Sequence, residues 1–242
     1  MSYKKLILLM IASLPLKNKL NTMKTKFLSA ALGIALSATI LSANAQKSYT
    51  EGLVTLKTTA GGQDVELKTY FRSDSTATTF SAGPANIKLL ADANYKFFAV
   101  LAEVPAYKIK KAAIYTPAEI TKVLSSFPTL AFAPSTETKQ IAGFKCKKVV
   151  ATDTKTQKTY DIWITNDISL PPDVIDKYYA AIGGVPIQYT SFQTGPDGAL
   201  SIAEYTISGV SDQKAPAGTF GIAPDFDKIS KDQLDAMSRG KQ

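Results

Sequence analysis

The feature that most constrains the fold is a succession of short runs rich in Val, Ile, Leu, Thr, Tyr and Phe, each closed by a Gly, Pro or Asp turn signal. Runs of this kind read as strands, and their regular spacing reads as antiparallel hairpins. Gly52 to Thr59 and Val65 to Arg72 flank Ala60-Gly61-Gly62, and Thr76 to Phe80 and Ile87 to Ala91 flank Gly83-Pro84. Tyr95 to Val104 is apolar on both alternating faces: Tyr95, Phe97, Ala99 and Leu101 on one, Phe98, Val100 and Ala102 on the other. Such a strand is expected to be covered on both sides. Ala106 to Tyr115 continues the pattern, which resumes in Thr138 to Ile141, Lys145 to Ala151, Thr159 to Thr165, Ile187 to Gln193 and Leu200 to Gly209. Turns are expected at Asp153 to Gln157 and at Gly195-Pro196-Asp197-Gly198, where Pro fixes one φ and Gly supplies a positive one.

The strand pattern breaks once with force, at Thr116-Pro117-Ala118-Glu119. These residues spell a capping box, with Pro117 where a missing donor costs nothing. Ile120, Val123, Leu124 and Phe127 then recur at helical spacing, and Pro128 ends the helix. Shorter helices are expected at Asp173 to Ala181, after Pro171-Pro172, and at Ser230 to Met237, where Ser230 and Gln233 make a second box. About ten antiparallel strands must bury one face of a curved sheet, and the helix from Thr116 to Phe127 is the natural plug.

Met23 to Gln46 has the layout of a secretory signal peptide, with Lys24 and Lys26, an apolar stretch from Phe27 to Leu41, and Ala43-Asn44-Ala45 as the cleavage pattern. The apolar stretch is shorter than the roughly 20 residues a membrane span needs, and no cysteine follows it to accept a lipid. Cleavage after Ala45 is expected to release residues 46–242 as a single periplasmic or secreted domain with no stable membrane insertion. Residues 1–22 read as an upstream extension, with translation starting at Met23. The leader and extension carry six lysines and no acid, so cleavage leaves 22 Lys and Arg against 20 Asp and Glu, and the formal charge falls from +8 to +2. That residual charge, scattered along the chain, gives no support for nucleic-acid binding.

The chain has no histidine and a single cysteine, Cys146. Histidine-based nucleophilic triads cannot be assembled, and zinc sites lose their commonest ligands. No phosphate-binding glycine loop is present. No metal, cofactor or enzymatic activity is expected. Cys146 shares a strand face with Phe144 and reads as a buried structural thiol; the functional alternative is a thiol activated by Lys145, Lys147 and Lys148. Two carboxylate pairs, Asp173 with Asp176 and Asp225 with Asp227, are the only candidates for a two-acid hydrolase. Both follow prolines, where Asp commonly serves turns and helix starts.

Lys139-Gln140-Ile141-Ala142-Gly143-Phe144-Lys145-Cys146-Lys147-Lys148, then Tyr160-Asp161-Ile162-Trp163-Ile164-Thr165-Asn166-Asp167-Ile168, then Gly183-Gly184-Val185-Pro186 carry a resemblance to a family of exported bacterial proteins, the domain of unknown function DUF4412. The resemblance implies a fold similar to the lipoprotein carriers LolA and LolB: a mainly β, half-open barrel made of one curved antiparallel sheet, with one to three helices on the concave side and room for acyl chains. It transfers no catalytic residue. The candidate lining residues are Phe97 and Leu101 of the doubly apolar strand, Ile120 and Leu124 of the capped helix, and Trp163. The expected function is an exported binding protein for a lipid or lipoprotein acyl chain. The alternatives are an envelope protein interaction module with a filled core, displaying Trp163, and the two-carboxylate hydrolase.

Overall fold

The computed structural model describes residues 46–195 and 199–239. The leader and the extension, and the tip of the turn after Gly195, lie outside the described residues. Fourteen strands are present among the described residues: β1 (Lys47–Ser48), β2 (Gly52–Ala60), β3 (Gln63–Arg72), β4 (Ser75–Ala82), β5 (Ala85–Asp92), β6 (Phe98–Val104), β7 (Ile109–Ile114), β8 (Leu130–Ile141), β9 (Phe144–Asp153), β10 (Thr159–Thr165), β11 (Ile168–Ser169), β12 (Val185–Thr194), β13 (Leu200–Ser211) and β14 (Asp227–Ile229). Two α-helices, α1 (Pro117–Ser126) and α2 (Lys231–Arg239), accompany them. Twelve strands form one sheet in the order β14-β7-β6-β5-β4-β3-β2-β13-β12-β10-β9-β8.

Two meanders meet in that order. β2 to β7 run sequentially across one half and β8, β9, β10, β12 and β13 across the other, β11 pairing apart with β1, and the antiparallel pairing of β2 with β13 joins the halves. The meanders arise where local turn chemistry predicts. Gly61 and Gly62 have φ of 58° and 78° in the β2–β3 hairpin, and Ala142 and Gly143 have 50° and 87° between β8 and β9, the double positive φ that matches strand twist.

The link between the meanders sets the curvature. β7 and β8 lie ten strand spacings apart, about 48 Å in a flat sheet. The chain joining them holds α1 and a few extended residues, with a reach of about 35 Å. The sheet therefore curls until its two flanks come within the span of α1, and α1 lies across the concave side. Register shifts in the β10–β12, β13–β2 and β8–β9 pairs provide the local bends. The edge strands β14 and β8 do not pair, so the barrel is not closed.

α1 forms as its sequence dictates. The Thr116 Oγ1 accepts from Glu119 N at 3.3 Å, and the Glu119 carboxylate accepts from Thr116 N at 2.6 Å. α2 repeats the device with Ser230 and Gln233. The region expected to be helical after Pro171-Pro172 instead makes two 3₁₀ turns, Pro172–Val174 and Lys177–Tyr179, and the strand expected from Tyr95 begins only at Phe98. There Asp92 Oδ1 accepts from the backbone N of Lys96 and Phe97, and Tyr95 takes a φ of 50°, which closes a loop in place of the strand's first turn.

β6 is covered on one face, while Phe98, Val100 and Ala102 on the other are only half-buried. Ala99 and Leu101 join Ala77, Leu90 and Ala112 on the convex side, under Phe220, Ile222 and Phe226 of the segment that follows β13. That segment then adds β14 in parallel to β7 and returns through α2, three of whose residues face the concave side. The main core lies on the concave side, where residues 168–184 insert Ile168, Ile175, Tyr179 and Ile182 against Ile162, Ile164, Ile187 and Ile207.

Because Ile162 is wholly buried in that core, Ile162→Ala is expected to cost about 2–5 kcal/mol. Leu124 on α1 faces open space, so Leu124→Ala is expected to cost under about 1.5 kcal/mol. Chemical denaturation of both variants measures the contrast, and equal losses would contradict the packing described.

Candidate functional site

Residues 168–184 fill the part of the concave side formed by β9, β10, β12 and β13 and reach the core residues of β2 and β3. Under α1, against β3 to β6, a cavity of about 580 Å³ remains. Its position follows from strand parity. Leu67 and Thr69 of β3, Thr76, Thr78 and Phe80 of β4, Ile87, Leu89 and Ala91 of β5, and Phe98, Val100 and Ala102 of β6 all point to the same side. Ile120, Val123, Leu124 and Phe127, the apolar stripe of α1, form the opposite wall. Ile120 is buried and Phe127 packs edge-on against Tyr178, while Val123 and Leu124 stay half-buried toward the void.

One end of the cavity is polar. Asp176 accepts from the Tyr178 hydroxyl at 2.5 Å and from the Ser191 hydroxyl at 3.0 Å, both on Oδ2. Tyr178 Oη in turn accepts from the backbone N of Phe192 at 2.9 Å, which aims the phenol proton at the carboxylate. Burial raises the Asp176 carboxyl above the usual range, against the two hydroxyl donors that favour its charged form. Burial likewise raises the Tyr178, Tyr179 and Tyr189 phenols, so all three stay neutral. Gln193 Nε2 donates to Tyr205 Oη at 2.7 Å. At another part of the wall Lys231 and Asp235 of α2 are paired.

Of the residues expected to line a site, Ile120 and Leu124 do so. Phe97 and Leu101 do not. Phe97 is 36% exposed, and Leu101 is buried on the convex face under the Phe220 segment. Their strand neighbours Phe98 and Val100 occupy the cavity wall instead, because both faces of this strand are apolar and parity alone did not say which one faces inward. Trp163 packs half-buried at the edge of the main core, with Lys139 Nζ 4.0 Å above its ring, and it lies away from the cavity.

Cys146 is buried, and burial raises its thiol pKa. Asp225 and Asp227 are surface groups, each 2.8 Å from a lysine, Lys110 and Lys111 respectively. Asp173 pairs with Lys177 at 3.8 Å. Asp176, Tyr178 and Ser191 are the residues that sequence reasoning missed as a group. The sequence offers Asp176 only as half of an acid pair with Asp173; its grouping with Tyr178 and Ser191 is made by the second 3₁₀ turn and β12. Among the described residues no group of His, Cys, Asp and Glu is arranged to hold a metal, and no helix is long and apolar enough to cross a membrane.

No family model matches this chain, and no curated protein matches it. Among solved structures it is similar to PNGF-II in two crystal forms, at TM-scores of 0.44 and 0.46 and identities of 16% and 14%, over 78% of this chain. The match takes in 32% and 33% of PNGF-II, so the chain spans about a third of the length of that protein. It is also similar to a DUF1329 family protein from Desulfovibrio piger, at a TM-score of 0.22 and 11% identity, over 79% of this chain and 94% of that one.

The raised carboxyl of Asp176 has a consequence for stability. The folded state holds this proton more tightly than the unfolded chain, so its stabilising contribution is full below the unfolded value of about 3.9 and is lost as pH rises above it. Asp176→Asn removes the charge and keeps one oxygen for the two hydroxyls. The variant is expected to melt above the wild type at pH 7, with the difference shrinking toward pH 3.5. A variant that melts below the wild type at pH 7 would contradict the burial described.

Proposed function

We propose that this protein is an exported, soluble binding protein that holds an apolar ligand, a lipid or an acyl chain, between its curved sheet and α1. The observation that carries the reading is the cavity of about 580 Å³ walled by the α1 stripe and the inner faces of β3 to β6. Its volume lies within the roughly 300–1,000 Å³ of small-molecule sites, which are mainly apolar with a few placed polar groups. Apolar side chains facing a void forgo the contacts that a packed core would give them, and a ligand chain would restore those contacts. The void favours this reading over an interaction module with a filled core. The surface pairing of Asp225 and Asp227 with lysines gives the hydrolase alternative no enclosed acid pair at that position.

In architecture the reading is of a LolA-like half-barrel, and in family of a DUF4412 relative. It is supported by the unclosed sheet, by α1 across the concave side and by the Gly143-Phe144-Lys145-Cys146 hairpin strand. The signal peptide, cleaved after Ala45, would deliver the domain to the periplasm or the medium.

Native mass spectrometry of protein purified without detergent is expected to show bound lipid-sized mass that organic solvent removes. The emptied protein is expected to take up Nile red with a blue-shifted emission. Val123→Trp, which fills the space from the α1 side, is expected to lose that uptake while keeping the wild-type circular dichroism. A protein that carries no lipid and takes up no dye would overturn the reading.

A further inference from the structure

The polar end of the cavity selects among apolar ligands. Asp176 sits at the N-terminal flank of the Lys177–Tyr179 turn, yet its side chain makes no cap bond there. It is half-buried, and it lines the cavity. The bonds from Tyr178 and Ser191 both end on Oδ2, so among the described residues none is donated to Oδ1. No lysine or arginine among the described residues is within ion-pair distance of it. Lys177, its neighbour in sequence, is engaged with Asp173 and over the Tyr95 ring at 4.4 Å, and Lys231, which lines the same cavity, with Asp235.

A half-buried carboxylate that lines an apolar cavity without a counter-cation is costly. Here two hydroxyls are held on one of its oxygens while the other is left to the cavity. Around it stand aromatic rings that also line the cavity. Tyr189 is stacked on Tyr205 at 5.9 Å, and Phe127 and Phe192 pack edge-on against Tyr178 at 5.4 and 5.1 Å. Aromatic faces beside a carboxylate form the environment that stabilises an ammonium group.

We propose that the cavity takes a single-chain amphiphile with a cationic amine head, the ammonium donating to Asp176 Oδ1 and the chain running between α1 and β3 to β6. This assignment rests on the apolar-carrier reading. An anionic head in the same place would set two like charges together in a low-dielectric site, and the pocket disfavours it. A neutral hydroxyl head is accepted without the charge-assisted bond.

Isothermal titration calorimetry of the purified, delipidated protein at pH 7, with dodecylamine, dodecanol and dodecanoate each below its aggregation limit, tests the assignment. Dodecylamine is expected to bind at least about tenfold more tightly than dodecanol, as a charge-assisted bond requires, and dodecanoate is expected to bind most weakly. Asp176→Asn is expected to erase the preference for amine, bringing the dodecylamine affinity down to that of dodecanol. If that variant does not fold, the wild-type ranking decides alone. Dodecanoate binding as tightly as dodecylamine, or an amine preference surviving in Asp176→Asn, would overturn the assignment and leave the carrier reading standing on dodecanol. Failure of all three probes to bind would overturn both.

Discussion

The reach of the segment that carries α1 governs this fold. β7 ends on one flank of a twelve-stranded sheet and β8 begins on the other, and a ten-residue helix with short extended arms cannot cross the width of a flat sheet. Curling is the geometric answer. Once the sheet curls, α1 lies across the concave side with its apolar stripe turned inward, and the space beneath it is set by the sheet's radius, not by side-chain complementarity. A single amphipathic helix presents one stripe, and one stripe cannot fill the concave face of a sheet this wide.

The protein fills the concave side unequally. Residues 168–184 pack Ile175, Tyr179 and Ile182 into the half formed by the second meander, producing a close core with Ile162, Ile187 and Ile207 wholly buried. In the first meander this core takes in Val54, Leu56, Leu67 and Phe71 of β2 and β3. The outer face of that meander is sealed by Phe220, Ile222 and Phe226 over a surface kept smooth by Ala77, Ala99 and Ala112, and the rest of its inner face is left to the cavity. The same insertion supplies the polar end, since Asp176 and Tyr178 lie on it and meet Ser191 of β12. Core packing on one side and a hydrogen-bonding anchor on the other are thus two consequences of one loop.

Much of this was legible in the sequence where the cause is local. The Thr116 and Ser230 capping boxes form because their partners are three residues away, and the glycine hairpins form because only certain residues take positive φ readily. What is decided at long range was not legible. Nothing near Leu101 or Val100 says which neighbour faces inward; that depends on where the Phe220 segment, over a hundred residues later, comes to lie. The pairing of β2 with β13 and of β14 with β7 joins residues 100 or more positions apart. Asp176 was camouflaged for the same reason. In sequence it belongs to a proline-introduced turn, and only Ser191 and Tyr178, brought to it by β12 and the second 3₁₀ turn, distinguish it from a residue that merely closes one.

The central claim, that α1 covers an open apolar space instead of packing onto the sheet, is tested most directly by xenon-pressurised crystallography. Xenon enters dry apolar cavities without needing polar partners. The account predicts xenon density between Ile120, Val123 and Leu124 of α1 and the inner faces of β4 to β6. A structure in which α1 has moved onto Leu89 and Val100, closing the space and admitting no xenon, would contradict it.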